Sequence, residues 1–135
     1  MQVYADEAAK PEWKIQTHDD LIKYRGECVA ALSITEEAVS QYKKWVFNDD
    51  EKTRSYIKCV FNKMGLFEDQ SGFNIEHLVK QLGQNRDAVE TRTEVVKCSD
   101  KKVATDDAAT WAFKGFKCFR AAHLDLIQMS IKKAD

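Results

Sequence analysis

The chain has 135 residues, with 21 Lys plus Arg against 22 Asp plus Glu and a formal net charge of −1. That near-balance leaves no basic footprint for nucleic acid and no polybasic patch for anionic lipid. Five glycines, one proline, 44% apolar and 32% charged residues exclude collagen-like, linker-rich and disordered chains, and no apolar run approaches the roughly 18 residues of a membrane span.

Residues 1–16 read as a flexible polar arm that holds the only proline, Pro11, with Trp13 and Ile15 as docking residues. The first ten residues lack a basic start and an apolar run, so they do not form an intact signal peptide. A cytosolic chain and a processed secreted chain both fit. Residues 17–135 read as one domain, of a size that buries about two-thirds of the surface its unfolded form exposes.

Thr17 and Asp20 have the spacing of a capping box. The stripe behind them, Leu21, Tyr24, Cys28 and Leu32, steps by three and four and predicts a helix. Ser33 to Glu36 offers a second cap, for a helix carrying Ala38, Val39, Tyr42, Trp45 and Val46. Asn48 to Glu51 breaks that pattern and places acids in the next first turn, where the helix dipole favours them. The third helix runs to about Lys63, with Tyr56, Ile57, Cys59, Val60, Phe61 and Met64 on its inner face and Gly65 at the position after its end.

Asp69 to Gly72 is a turn. A short helix follows with Ile75, Leu78, Val79 and Leu82, ended by Gly83. The fifth helix starts near Asn85 and carries Val89, Val95, Val96 and Cys98 before a loop at residues 99–102. Thr105 to Asp107 opens a last long stretch that breaks in two around His123 to Asp125. No alternation of period two appears. The predicted fold is all-α, a compact bundle of six or seven short helices.

Motifs for catalysis are missing from the sequence: no G-x-S-x-G, P-loop, G-x-G-x-x-G or H-E-x-x-H occurs. A calcium loop starting at Asp69 would need glycine where Asn74 stands and glutamate where Lys80 stands. His18, His77 and His123 are scattered, and the acids at 49–51 and 106–107 read as helix starts. The expectation is therefore no catalytic residue, no metal and no cofactor.

The cysteines are Cys28, Cys59, Cys98 and Cys118. Their wide gaps rule out zinc-ribbon, thioredoxin and c-type haem motifs, while leaving three disulfide pairings and four buried free thiols all open. Aromatic and sulfur side chains gather at Met64 to Phe67 with Phe73, and at Trp111 to Phe119. Such clusters suit plain core packing or the lining of an apolar pocket.

Ser55-Tyr-Ile-Lys-Cys-Val-Phe-Asn-Lys-Met-Gly-Leu-Phe67 resembles the third-helix signature of insect odorant-binding proteins of the PBP/GOBP type. Trp111-Ala-Phe-Lys-Gly-Phe-Lys-Cys-Phe119 resembles the family's sixth helix, and the likeness extends over about residues 17–132. The family's usual frame has six cysteines. Here the first, third, fourth and sixth match Cys28, Cys59, Cys98 and Cys118, while Ser55 and Ala109 occupy the second and fifth positions, which pair with each other in the family. One whole bridge is thus deleted, as in the four-cysteine or Minus-C branch.

The resemblance implies bridges Cys28–Cys59 and Cys98–Cys118, an extracellular location, and a stapled bundle around an internal apolar cavity. It implies a secreted carrier of small hydrophobic molecules, closest to dipteran members that accept long-chain fatty acids. The expected partner is such a ligand, a fatty acid or odorant, with no nucleic acid and no membrane insertion. A membrane receptor is an open partner, and monomer is the default state. Each buried methylene contributes about 0.8 kcal/mol, so a chain of ~14 gains roughly 11 kcal/mol before ordering costs, and micromolar or tighter binding is expected.

The candidate cavity wall is Leu21, Tyr24, Tyr56, Val60, Met64, Leu66, Phe67, Phe73, Leu78, Leu82, Val95, Trp111, Phe113, Phe116, Phe119 and Leu126. The candidate donors to a carboxylate head group are Tyr4, Arg25, Lys114, Arg120 and His123. Two rival readings are a secreted helical signalling or interaction protein acting through its surface without a ligand cavity, and a small cytosolic enzyme or thiol protein.

Overall fold

The computed structural model describes residues 12–84 and 86–122. Helix α1, His18–Leu32, begins with the predicted box: Asp20 N–H donates to the Thr17 hydroxyl at 3.2 Å, and Thr17 N–H donates to the Asp20 carboxylate at 2.9 Å. It ends at Ser33, whose φ of 54° is left-handed and whose N–H turns back to Ala30 O. Ser33 thus closes the first helix. The second, α2 at Glu36–Lys43, is capped by Thr35 instead, two residues past the expected hydroxyl.

α2 stops at Lys43, because Trp45 takes a left-handed φ of 63°. For a bulky aromatic residue that conformation costs of order 1–2 kcal/mol. Helix α3, Glu51–Lys63, starts at the Asp50 carboxylate and ends through Met64 and Gly65, whose φ is 76°. A hairpin of two-residue strands follows, β1 at Phe67–Glu68 and β2 at Gly72–Phe73, with Phe67 opposite Phe73. Strands this short carry no readable alternation, which is why the sequence shows only their turn.

Helix α4, Ile75–Leu82, is capped by Asn74 and closed by Gly83. Helix α5, Ala88–Ser99, starts at Asp87, slightly later than the expected Asn85. Helix α6, Ala108–Ala121, starts at Asp107 and closes at Ala122. The expected second half of that stretch lies outside the described residues.

α3 is the central helix, packed on α1 at one side and α6 at the other, while α4 lies on α5 and α5 on α6. Cys28–Cys59 ties α1 to α3 across 31 residues, and Cys98–Cys118 ties α5 to α6 across 20. No cysteine is free, which settles the open pairing. In the chain-entropy account, loops of these lengths contribute about 3–4 kcal/mol each, a large share of a typical total of about 5–15 kcal/mol.

Residues just before α1 are also tied down. Trp13 Nε1 donates to Met64 O at 2.8 Å, and its indole stacks on His77 at 4.1 Å. A side chain at Gly65 would sit 2.8 Å from that indole, so the glycine serves the docking as well as the turn. The buried Gln81 exchanges both its amide groups with the Gln16 backbone at 2.8 and 3.1 Å. Ile15, the other expected docking residue, is 41% exposed.

Candidate functional site

Most of the predicted wall residues are buried in the core. Phe61, Phe67, Phe73, Phe119 and Trp111 meet edge to face, with ring centres 4.8–5.9 Å apart for the pairs Phe61–Phe73, Phe67–Phe73, Phe67–Trp111 and Phe73–Phe119. The fit closes on glycine. A Cβ on Gly72 would lie 2.2 Å from Trp111, and one on Gly115 would lie 2.3 Å from Phe73. Met64, Leu66, Leu78, Leu82, Val95, Phe113 and Phe116 are buried around this cluster, and Tyr24 packs against the core from its edge. Leu126 lies outside the described residues.

Open space lies on the opposite flank, between α1, α2 and α3. A small cavity of about 20 Å³ is lined by Leu21, Arg25, Tyr42, Trp45, Phe47, Tyr56, Ile57 and Val60. Next to it, a cleft of about 490 Å³ is lined by His18, Ile22, Arg25, Gly26, Val29, Val39, Tyr42, Lys43 and Tyr56. Arg25, Tyr42 and Tyr56 belong to both and form the partition between them. The cleft falls within the roughly 300–1,000 Å³ of ordinary small-molecule sites. The enclosed part holds about one water.

Helix periodicity builds the partition. Tyr42 ends the inward face of α2, and Tyr56 lies one turn into α3, so their rings stack at 4.4 Å. Tyr42 then pairs its hydroxyl with Thr53 at 2.8 Å inside the core. Arg25 Nε donates to the Tyr56 hydroxyl oxygen at 3.2 Å. Burial raises the Tyr56 phenol above its ordinary pKa, and the Arg25 cation partly offsets that rise. Burial likewise raises Tyr42, against the lowering effect of its bond to Thr53. Both rings are therefore neutral at physiological pH, and among the described residues Arg25 is the cation common to cavity and cleft.

The predicted head-group donors separate accordingly. Arg25 borders both spaces. Arg120 stands beside the cavity wall, its guanidinium 5.8 Å from the rings of Trp45, Phe47 and Phe116. Lys114 is held elsewhere, 2.6 Å from the Asp106 carboxylate, and its hydrogen bond lowers the Asp106 pKa. Tyr4 and His123 lie outside the described residues.

Of the predicted wall, Leu21, Tyr56 and Val60 face the cavity. The sequence reading did not name Tyr42, Trp45, Phe47 and Ile57 as wall, nor the cleft residues His18, Ile22, Gly26, Val29, Val39 and Lys43. Its signal was aromatic density, and density marks the packed side. The better signal was the spread of aromatic residues through Tyr42, Trp45, Phe47 and Tyr56, broken by polar groups. Among the described residues, no group of three or more His, Cys, Asp or Glu is placed to hold a metal ion.

A model of the PBP/GOBP family matches residues 10–122. The chain belongs to that family. It is 51% identical to odorant-binding protein 22 of Aedes aegypti over 93% of this chain and 90% of the relative. It is 38% identical to general odorant-binding protein 99a of Drosophila melanogaster over 91% of this chain and 88% of the relative. The fold agrees with that of the fatty acid binding protein OBP56a from the oral disk of the blowfly Phormia regina, at a TM-score of 0.70 and 19% identity, covering 84% of this chain and 97% of that one. A mosquito juvenile hormone-binding protein matches at a TM-score of 0.69 and 17% identity, covering 87% of this chain and 47% of that one. The PBP/GOBP family is one of carriers of hydrophobic ligands rather than of enzymes. Among the described residues, no helix is long and apolar enough to cross a membrane.

Proposed function

We propose that this chain is a secreted, monomeric carrier of long-chain fatty acids or similar apolar acids. The acyl tail lies along the α1–α2 cleft and into the cavity, and the carboxylate meets Arg25. The observation that carries this reading is the position of Arg25, a cation bordering both spaces among mainly apolar and aromatic walls, with its Nε on the Tyr56 hydroxyl. A guanidinium binds a carboxylate through two parallel N–H donors, so one such residue fixes which end of the ligand faces out.

Two further facts support the reading. Two closed disulfides suit an oxidising, extracellular compartment. Ligand classes named for similar folds, fatty acids in the blowfly protein and juvenile hormone in the mosquito one, are mainly apolar molecules.

The test is displacement of a fluorescent apolar probe by palmitate and by hexadecanol, in the natural chain and in Arg25→Gln. Palmitate is expected to displace the probe at micromolar concentration or below. Arg25 is partly exposed, so its loss is expected to weaken palmitate by about tenfold, the low end for a charged hydrogen bond, and to leave hexadecanol little changed. Failure of both ligands to displace the probe would overturn the carrier reading in favour of a protein acting through its surface. Equal weakening of both would remove Arg25 as the head-group residue.

A further inference from the structure

We infer that α2 and the segment after it, residues 44–47, form a lid over the cavity, and that Arg120 is its latch. The inference rests on the carrier reading for its purpose but on separate observations for its substance.

α2 is the only one of the six described helices without an extensive contact to another helix or strand. Two left-handed residues bound it, Ser33 before it and Trp45 after it. A short helix joined to α1 only through Ser33 and Ile34 can swing about that connection, because a few element-terminal residues suffice to absorb a hinge motion. The side it covers is the open space: Tyr42, Trp45 and Phe47 line the cavity, and Val39, Tyr42 and Lys43 line the cleft. Moving this unit outward joins the two spaces, whereas moving α1 or α6 would disturb the bridged core.

What holds the unit down comes mainly from elsewhere in the chain. Arg120, on the last turn of α6, donates from Nη1 to Trp45 O at 3.3 Å, across 75 residues of sequence. Its guanidinium is 5.8 Å from each of the Trp45, Phe47 and Phe116 rings. Phe47 in turn meets Phe116 edge to face at 5.1 Å. One exposed cation thus grips the end of the lid and the helix it rests on, at the point where Trp45 is held in its unfavourable φ. Release of Arg120 leaves Trp45 in the cap of α2 itself, where Trp45 N–H donates to Tyr42 O and Val46 N–H to Gln41 O at 2.9 Å, so the unit moves as one body. Thr53, bonded to the Tyr42 hydroxyl at 2.8 Å, holds the same end of the unit to α3, which leaves the Ser33 end as the hinge side.

A latch governs rates, whereas a head-group residue governs affinity for acids. The two roles are separated by Arg120→Gln, which is exposed and leaves the core intact. Stopped-flow exchange of the neutral probe N-phenyl-1-naphthylamine, and of palmitate, is expected to speed up by about tenfold in both directions for both ligands, with dissociation constants shifting less than threefold, as the loss of several exposed cation–aromatic contacts would give. Unchanged exchange rates, or a loss confined to palmitate affinity, would overturn the latch. A ligand-free readout keeps it testable if no ligand binds: amide hydrogen exchange at residues 44–47 is expected to accelerate in Arg120→Gln relative to the natural chain, while α3 and α6 keep their protection. Equal protection at residues 44–47 in the two proteins would overturn the proposal, and α6 losing protection together with the lid would show that Arg120 holds the fold rather than the lid.

Discussion

Two glycines inside helices separate the two halves of this molecule. Gly115 on α6 leaves no room: a Cβ there would lie 2.3 Å from the Phe73 ring, which is itself enclosed by Phe61, Phe67 and Phe119. Gly26 on α1 borders the cleft, and among the described residues nothing lies within 4 Å of its missing side chain. The same residue in the same secondary structure marks a filled half and an open half. The filled half is built mainly from phenylalanine rings, which interlock edge to face, with the Trp111 indole turned to donate to Ser99 O at 3.0 Å. The open half uses tyrosines, an arginine and a tryptophan, whose polar tips must keep partners and so resist close interlocking.

The comparison can be broken by substitutions on each side. Phe119→Ala empties the filled half and is expected to destabilise the protein by about 3–5 kcal/mol in urea titration; a loss below about 1 kcal/mol would show that the cluster collapses readily. Replacing Cys98 and Cys118 together by serine removes the staple behind that half and is expected to cost about 3 kcal/mol, given the 20-residue separation. Gly115→Ala forces Phe73 to move and is expected to cost about 1–3 kcal/mol. Gly26→Ala, by contrast, is expected to stabilise by about 0.5–1 kcal/mol, because alanine favours a helix interior and meets no neighbour. Thermal unfolding of the two alanine variants side by side checks the sign; the same sign for both would erase the distinction between the halves.

The smallest effect is electrostatic and falls on the open half. Burial raises the Tyr56 phenol above the ordinary tyrosine value of 10.0, so the folded state holds the proton more firmly than the unfolded chain does. The associated stability is fully present below that ordinary value and is lost as pH rises through the folded one. Absorbance titration is expected to show late phenolate formation with unfolding at its end. Arg25→Gln removes a lowering influence and is expected to delay Tyr56 further. An earlier titration in that variant would mean that Arg25 does not face the phenol in solution.

Much of the local structure was legible in residue type and spacing. Thr17, Asp50 and Asp107 cap helices where their side chains suggest, and Gly65 and Gly83 stop them. The stretch from Ser33 to Glu36 offers two cap hydroxyls, Ser33 and Thr35, and Thr35 takes the role. The choice between them was made by the left-handed turn that ends α1. The pairing of Cys28 with Cys59 and of Cys98 with Cys118 followed from family likeness, since spacing alone leaves three pairings.

The sequence by itself determined where the helices of the described residues lie and most of their caps, because periodicity and capping are local properties carried within a few residues. It did not determine which buried aromatics enclose space. Phe73 and Tyr56 are both largely hidden from water, yet one fills a glycine notch on α6 and the other stacks on Tyr42 at the edge of a cleft. That difference depends on which helices meet and how closely, and contacts such as Arg120 with Trp45, 75 residues apart, exist only once the whole chain has closed.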